Sequence, residues 1–214
     1  MKSKSPFETI ALRSIILAAA FIGIAFVMVN CSNRSEKSGQ SHEQAFVPDS
    51  IYINAGNKIV AHTFDTLRSS LLQTITSQGF PGAITFCSEK AYTITGAHTD
   101  SVTVRRTALR YRNPDNRPDS LELTVLNAMD AQVKSAKSAV VHLVRNSSSS
   151  EIHFFKPIML QPVCLNCHGD PAKQIQPATL SRIRELYPED QATNFKEGDL
   201  RGVWHIVFKS QKEL

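Results

Sequence analysis

The chain has 214 residues, 42% of them hydrophobic and 20% charged, with a formal charge of +5. That balance excludes a disordered tail and a polytopic membrane protein, and four cysteines are too few for a disulfide-dense mini-protein. Lys2, Lys4 and Arg13 outnumber Glu8 by two in the first thirty residues, so the remainder carries only +3, scattered and without interleaved aromatics; nucleic acid is not an expected partner.

Residues 1–31 read as an export segment. Its basic start precedes the apolar run Ser14 to Val29, which Cys31 and Ser32 close. Three forms fit: a lipoprotein signal with a diacylglyceryl group on Cys31, an uncleaved membrane anchor, or an ordinary signal with an incidental cysteine. The lipoprotein form leads, although Asn30 stands where a small residue is usual. All three place the rest of the chain outside the cytoplasm, expected in the periplasm and, for the first two, tethered to the membrane. Residues 32–45 have almost no apolar content and read as a flexible tether. The folded domain is expected over residues 46–212, long enough for one sizeable core.

Within that domain, Phe64, Leu67, Leu71 and Ile75 mark a helical stripe, predicting an amphipathic helix over His62–Gln78 that Gly79 and Pro81 stop. Gly82–Phe86 is apolar and ends in Cys87, as a second helix or a short strand. Ser101–Arg112 alternates like a strand, and Asn113–Pro118 is turn chemistry. Asp119, with Glu122 in the capping-box position, predicts a helix over Ser120–Gln132. Ala139–Val144 and Glu151–Leu160, joined by a serine-rich loop, predict an antiparallel hairpin. A short helix is expected over Thr179–Leu186 and a last strand over Gly202–Phe208. The order predicts an α+β fold.

Cys164-Leu165-Asn166-Cys167-His168 carries the chemistry. Cys-x-x-Cys-His is the attachment motif for c-type haem. Two thiols three positions apart on a helical turn reach both vinyl groups of one porphyrin, and the adjacent histidine meets the iron. An exported protein needs such a covalent hold, so leader and motif agree. Half a zinc site, a thioredoxin-like pair and a plain disulfide are the competing readings. The first lacks a second paired motif, the second lacks a surrounding βαβ unit, and the third closes a strained loop. The second axial position is open at this point. Met129, Met159, His42, His62, His98, His142, His153, His205 and Cys87 remain as candidates, and an isolated cysteine is more often a small buried hydrophobe.

Gly82-Ala-Ile-Thr-Phe-Cys87, Val104-Arg-Arg-Thr107, Arg112-Asn-Pro-Asp-Asn-Arg-Pro-Asp119, Lys156-Pro-Ile158, Cys164-Leu-Asn-Cys-His-Gly169 and Gly198-Asp-Leu-Arg-Gly202 occur in this order. Together they resemble the Tll0287-like family of extracytoplasmic c-type haem domains, over roughly residues 58–208. The resemblance implies a PAS-like antiparallel sheet with flanking helices around one covalent haem. It also implies His/Cys axial ligation by His168 and Cys87. The sequence departs from many relatives at Lys90-Ala91-Tyr92, where they show an Ala-Pro, and at Ser120-Leu121-Glu122, where they carry Trp-Glu. Arg105, Arg106 and Arg112 are candidates for the haem propionates, because a guanidinium matches a carboxylate bidentately. The competing reading pairs them with Asp115 or Asp119.

A six-coordinate iron leaves no open site, and a thiolate lowers its potential relative to methionine. The expected function is therefore a mono-haem cytochrome in redox or electron transfer, with a separate redox partner protein. The alternative is a haem-based redox or gas sensor that signals through a separate partner. An enzyme is not expected, since nothing marks a vacant iron position or a distal acid–base group.

Overall fold

A computed structural model describes residues 47–209, apart from residues 97, 98, 100, 137 and 147. The export segment, Cys31 and the tether lie outside the described residues. So do two of the candidate ligands, His42 and His98.

Four strands form one antiparallel sheet in the order β1-β4-β3-β2. β1 is Val102–Thr107, β2 His142–Asn146, β3 Glu151–Met159 and β4 Leu200–Phe208. The predicted hairpin is present as the β2–β3 pair. The predicted long first strand ends early, at Thr107. Ala108 leaves the sheet by donating its N–H to the carbonyl of Asn116 at 3.2 Å, and the chain turns through a short 3-10 segment, Pro114–Asn116.

Five α-helices accompany the sheet among the described residues: α1 Asp49–Glu89, α2 Ala91–Thr95, α3 Ser120–Ala136, α4 Leu165–His168 and α5 Pro177–Leu186. The α+β expectation is correct. α1 is far longer than predicted and contains the predicted stop as an internal break. Gly79 sits at φ 69°, ψ −174°, a backbone state that only glycine enters at low cost. Pro81 follows in the first turn of the resumed helix, where its missing N–H has no helical partner to lose. Gly82–Phe86 is therefore helical, and it carries Cys87 to the end of α1.

Side chains alternate across the sheet. One face meets α1: Tyr52 and Val60 pack with Val104, Phe154, Trp204, Ile206 and Phe208. The opposite face meets α3: Val125, Leu126, Met129 and Val133 pack with Phe155, Leu200 and Val203. The predicted capping box opens α3. The Asp119 N–H donates to Glu122 Oε2 at 2.9 Å, and the Glu122 N–H donates to Asp119 Oδ1 at 2.8 Å.

The α3 face also holds a buried polar chain. Glu122 Oε1 lies 2.7 Å from His205 Nδ1, and His205 Nε2 lies 3.0 Å from His153 Nδ1. A carboxylate only accepts, so His205 donates from Nδ1 and receives at Nε2 from His153. His153 Nε2 is then a buried acceptor with no hydrogen-bond partner among the described residues, 3.8 Å from Glu151 Oε2. Burial alone would raise the Glu122 pKa, but bonds from His205 and the Asp119 N–H, with the charge of Arg105, hold it below the usual range. Burial and the neighbouring His205 lower that of His153.

Candidate functional site

The Cys-x-x-Cys-His segment folds as two consecutive tight turns. Pro162 begins a 3-10 turn, in which the Cys164 N–H donates to the Gln161 carbonyl at 2.9 Å. α4 follows directly and ends at Gly169, whose N–H donates to the Leu165 carbonyl at 2.9 Å. A Cβ at Gly169 would lie 2.6 Å from that same oxygen, so the exit from His168 admits no side chain. Residues three apart on such a turn share a face.

That face is one wall of a cavity of about 300 Å³, within the size range of small-molecule pockets. Cys164, Cys167 and His168 line it from one side. Leu67, Leu71, Ile75, Phe80, Ile84 and Cys87 line it from the two segments of α1. The Gly79 break is what brings both segments to one wall. Of the sulfur and imidazole candidates for a second ligand among the described residues, Cys87 alone lines this cavity with His168. His153 and His205 belong to the chain on the opposite face, and Met129 to the α3 core. The thiols of Cys87, Cys164 and Cys167 are free. Burial pushes the Cys167 thiol up to about 11. Burial also raises that of Cys87, against the charges of Arg106, Arg112 and Arg201.

His168 is fixed through its ring. Nδ1 lies 2.7 Å from the carbonyl oxygen of Ala192. A carbonyl only accepts, so Nδ1 carries the proton and Nε2 presents its lone pair. Burial, with the charges of Arg201 and Arg112, holds the pKa well below that of an ordinary histidine, and the imidazole is neutral. Phe195 meets the ring edge-on at 6.3 Å between centroids. The main chain is held as well, because the Phe195 N–H donates to the His168 carbonyl at 2.9 Å.

Two smaller cavities of about 100 and 90 Å³ also touch His168, and Arg106 and Arg201 line both. The Arg106 Nε is buried without a hydrogen-bond partner among the described residues, and its guanidinium lies 5.7 Å from the centre of the Trp204 ring. Arg201 donates to the Arg110 carbonyl at 3.1 Å and reaches over Phe195. Burial and the charges of Arg112 and Arg106 bring its pKa down to about 9. Arg106, Arg112 and Arg201 thus gather beside His168 with Asp190 as the nearby carboxylate. A larger cavity of about 580 Å³, between α3 and the start of β4, meets this region through Phe195, Arg201 and Gly202 and is lined by none of the thiols.

The structure separates the three arginines singled out in the sequence. Arg105 lies on the α3 side: it donates to the carbonyls of Asp115 and Arg117 at 3.2 and 3.0 Å and pairs with Glu122 at 3.4 Å. It lines none of the cavities around His168. Arg112 does line the apolar cavity, but its guanidinium is taken by Asp190, with 3.1 Å from Nε to Oδ1 and 3.0 Å from Nη2 to Oδ2. Neither Asp115 nor Asp119 is its partner. Arg106, the neighbour of Arg105, is left facing the site. Alternation along a strand carried this signal, because consecutive residues point to opposite faces. Sequence reasoning missed Arg201, Asp190, Ala192 and Phe195. Arg201 stood inside the Gly198–Gly202 block, while nothing local marked the other three.

The class is thus an α+β domain in which a Cys-x-x-Cys-His turn shares an apolar cavity with a third thiol, beside a group of buried arginines. A family model described as Tll0287-like (Tll0287) matches residues 49–208, and the chain belongs to this family. Among solved structures, the cyanobacterial heme-protein Tll0287 is similar at 23% identity, over 79% of this chain and 99% of that one, with a TM-score of 0.49. Comparison with curated proteins gave no match.

Proposed function

We propose that this chain is an extracytoplasmic mono-haem c-type protein working in one-electron transfer, its domain PAS-like and tethered to a membrane through Cys31 or the apolar leader. Cys164 and Cys167 would hold the group through thioether bonds to its two vinyl positions, and His168 Nε2 and the sulfur of Cys87 would hold its iron. A haem held in this way takes up and returns one electron.

The observation that carries this reading is the donor set. A neutral imidazole, locked by its Nδ1–H on Ala192, shares one apolar cavity with three free thiols. The neighbouring charge fits the same group. Arg106 holds a buried donor without an acceptor, and Arg201 lies beside it. Two propionates supply such acceptors, and we assign them to Arg106 and Arg201 rather than to Arg105 or Arg112. Burial raises the pKa of the Cys87 thiol, and the guanidiniums of Arg106, Arg112 and Arg201 offset that rise only in part.

The test is a pyridine haemochrome spectrum on denatured, acid-acetone-extracted protein, produced with a working c-type maturation apparatus. A c-type spectrum retained by the polypeptide is expected. Colourless protein, or pigment that extracts fully, refutes the reading. Reduced protein exposed to carbon monoxide tests the role: an electron carrier keeps its six-coordinate spectrum for minutes, whereas a fast shift refutes closed ligation.

A further inference from the structure

The carbonyl that receives the His168 proton has a second donor. Arg112 Nη2 lies 3.3 Å from the Ala192 oxygen, 2.7 Å from the Cys167 carbonyl and 3.0 Å from Asp190 Oδ2. Its two hydrogens are therefore spread over three acceptors. The peptide of Ala192 is gripped from its other end as well, because its N–H donates to Asp190 Oδ1 at 2.8 Å. Both side chains of the ion pair are only 8% exposed. The pair thus touches the oxygen under the imidazole, the nitrogen of the same residue and the carbonyl just before His168.

We propose that Arg112 and Asp190 are a positioning pair that sets how strongly His168 donates to the iron, with opposite signs. The proposal rests on the haem reading above. A carbonyl that accepts only from imidazole draws on its proton, makes the ring a stronger base and favours the ferric state. Arg112 donates to that same carbonyl and weakens its pull. Its positive charge, close to the site in a poorly screened interior, also favours the reduced iron. Both effects raise the potential. Asp190 opposes them by neutralising Arg112, while its Oδ1 keeps Ala192 in place.

Arg112→Gln removes the charge and frees the Ala192 carbonyl for His168. The ferric-to-ferrous equilibrium constant at fixed potential rises on the order of tenfold, a fall in midpoint of about 59 mV for one electron. Asp190→Asn keeps an acceptor for the Ala192 N–H but leaves Arg112 uncompensated, and the midpoint rises by several-fold in the same constant. Spectroelectrochemical titration of the haem-loaded full chain reads both, alongside the ferric absorption spectrum, which stays six-coordinate.

A merely structural pair would loosen the same loop in either variant and move both midpoints in one direction. That result, or shifts below twofold in both variants with pigment intact, overturns the proposal and leaves the haem reading standing. Wild-type protein lacking haem overturns both. Should Arg112→Gln fail to accumulate, Arg112→Lys takes its place. The ammonium keeps the charge without the fork, so its midpoint is expected below the wild-type value, with the ferric-to-ferrous constant rising by less than tenfold. A rise of tenfold or more in the lysine variant contradicts the charge argument.

Discussion

Glu122 gives the sharpest test of how the sheet is held. The carboxylate is fully buried and accepts from the Asp119 N–H, from His205 and, at longer range, from Arg105. Glu122→Ala removes one capping-box contact, about 1 kcal/mol. It also removes a charged hydrogen bond to a buried imidazole, about 1.5–3 kcal/mol. The Arg105 contact adds only about 0.5 kcal/mol, because that side chain is one-third exposed. The total is about 3–5 kcal/mol, in line with breaking a buried pair from one side. Glu122→Gln behaves differently. Its oxygen serves the Asp119 N–H, and its amide donates to His205 Nδ1. His205 then donates from Nε2 to His153 Nδ1, so His153 carries its proton on the nitrogen that otherwise lacks a partner. Reversing two tautomers keeps the three hydrogen bonds of the chain, loses the Arg105 contact and leaves the His153 Nε2–H facing Glu151 Oε2 at 3.8 Å, and the cost falls to about 1–2 kcal/mol. Urea unfolding followed by far-ultraviolet circular dichroism measures both variants. In a domain of this size the alanine variant melts roughly 6–20 °C lower. A glutamine variant as damaged as the alanine one, or an alanine variant within 1 kcal/mol of wild type, refutes the proton order assigned to the chain.

Three further outcomes follow from the same geometry. Both Glu122 and His153 have folded pKa values below their unfolded ones. The folded state therefore binds fewer protons, and stability present at neutral pH is lost as pH falls, starting near the ordinary histidine value of about 6.5 for His153 and continuing through the carboxylate range for Glu122. His153→Asn keeps a donor near Nδ1 and removes the titration, so it flattens urea stability between pH 7 and 5; an unchanged slope places the acid sensitivity elsewhere. Cys87→Ser changes the ferric absorption spectrum and raises the midpoint potential; an unchanged spectrum removes Cys87 from the iron. Arg106→Met relieves a buried donor that lacks an acceptor in the haem-free chain, a gain of about 1–3 kcal/mol. The same change weakens the haem-loaded chain by taking away a propionate partner. Urea midpoints for the two forms are expected to move in opposite directions, and parallel shifts refute the assignment.

Much of this architecture is legible in the sequence. The capping box at Asp119 and Glu122, the β2–β3 pair and the turn after Arg112 are local devices whose residues lie a few positions apart. The first turns of α1 were not legible. Their buried line runs Tyr52, Gly56, Val60, Thr63 and Leu67, and two of those five are not apolar, so the stripe does not register as hydrophobic. Gly79 and Pro81 read as a terminator because sequence cannot tell an end from a break when the helix resumes. At the site, Cys164, Cys167 and His168 were visible as a motif, and Cys87 entered through a family likeness. The groups that fix them were hidden by distance along the chain. Asp190 lies 78 residues from Arg112 and Ala192 24 residues from His168, and no spacing rule joins them.

The two neighbouring arginines of β1 make that strand a shared boundary. Among the described residues β1 is an edge strand, paired with β4. Arg105 is spent on Glu122 on one side, while Arg106 stands over Trp204 on the other. A slip of one residue would exchange every side chain between the faces. Slipped one way, Val104 takes the place of Arg105 and Glu122 loses its cation; slipped the other way, Thr107 takes the place of Arg106 and the cavity beside Cys87 loses its guanidinium. An insertion or deletion in this six-residue segment would therefore damage either the proton chain or that cavity according to its direction, whereas a longer loop after Thr107 would spare both.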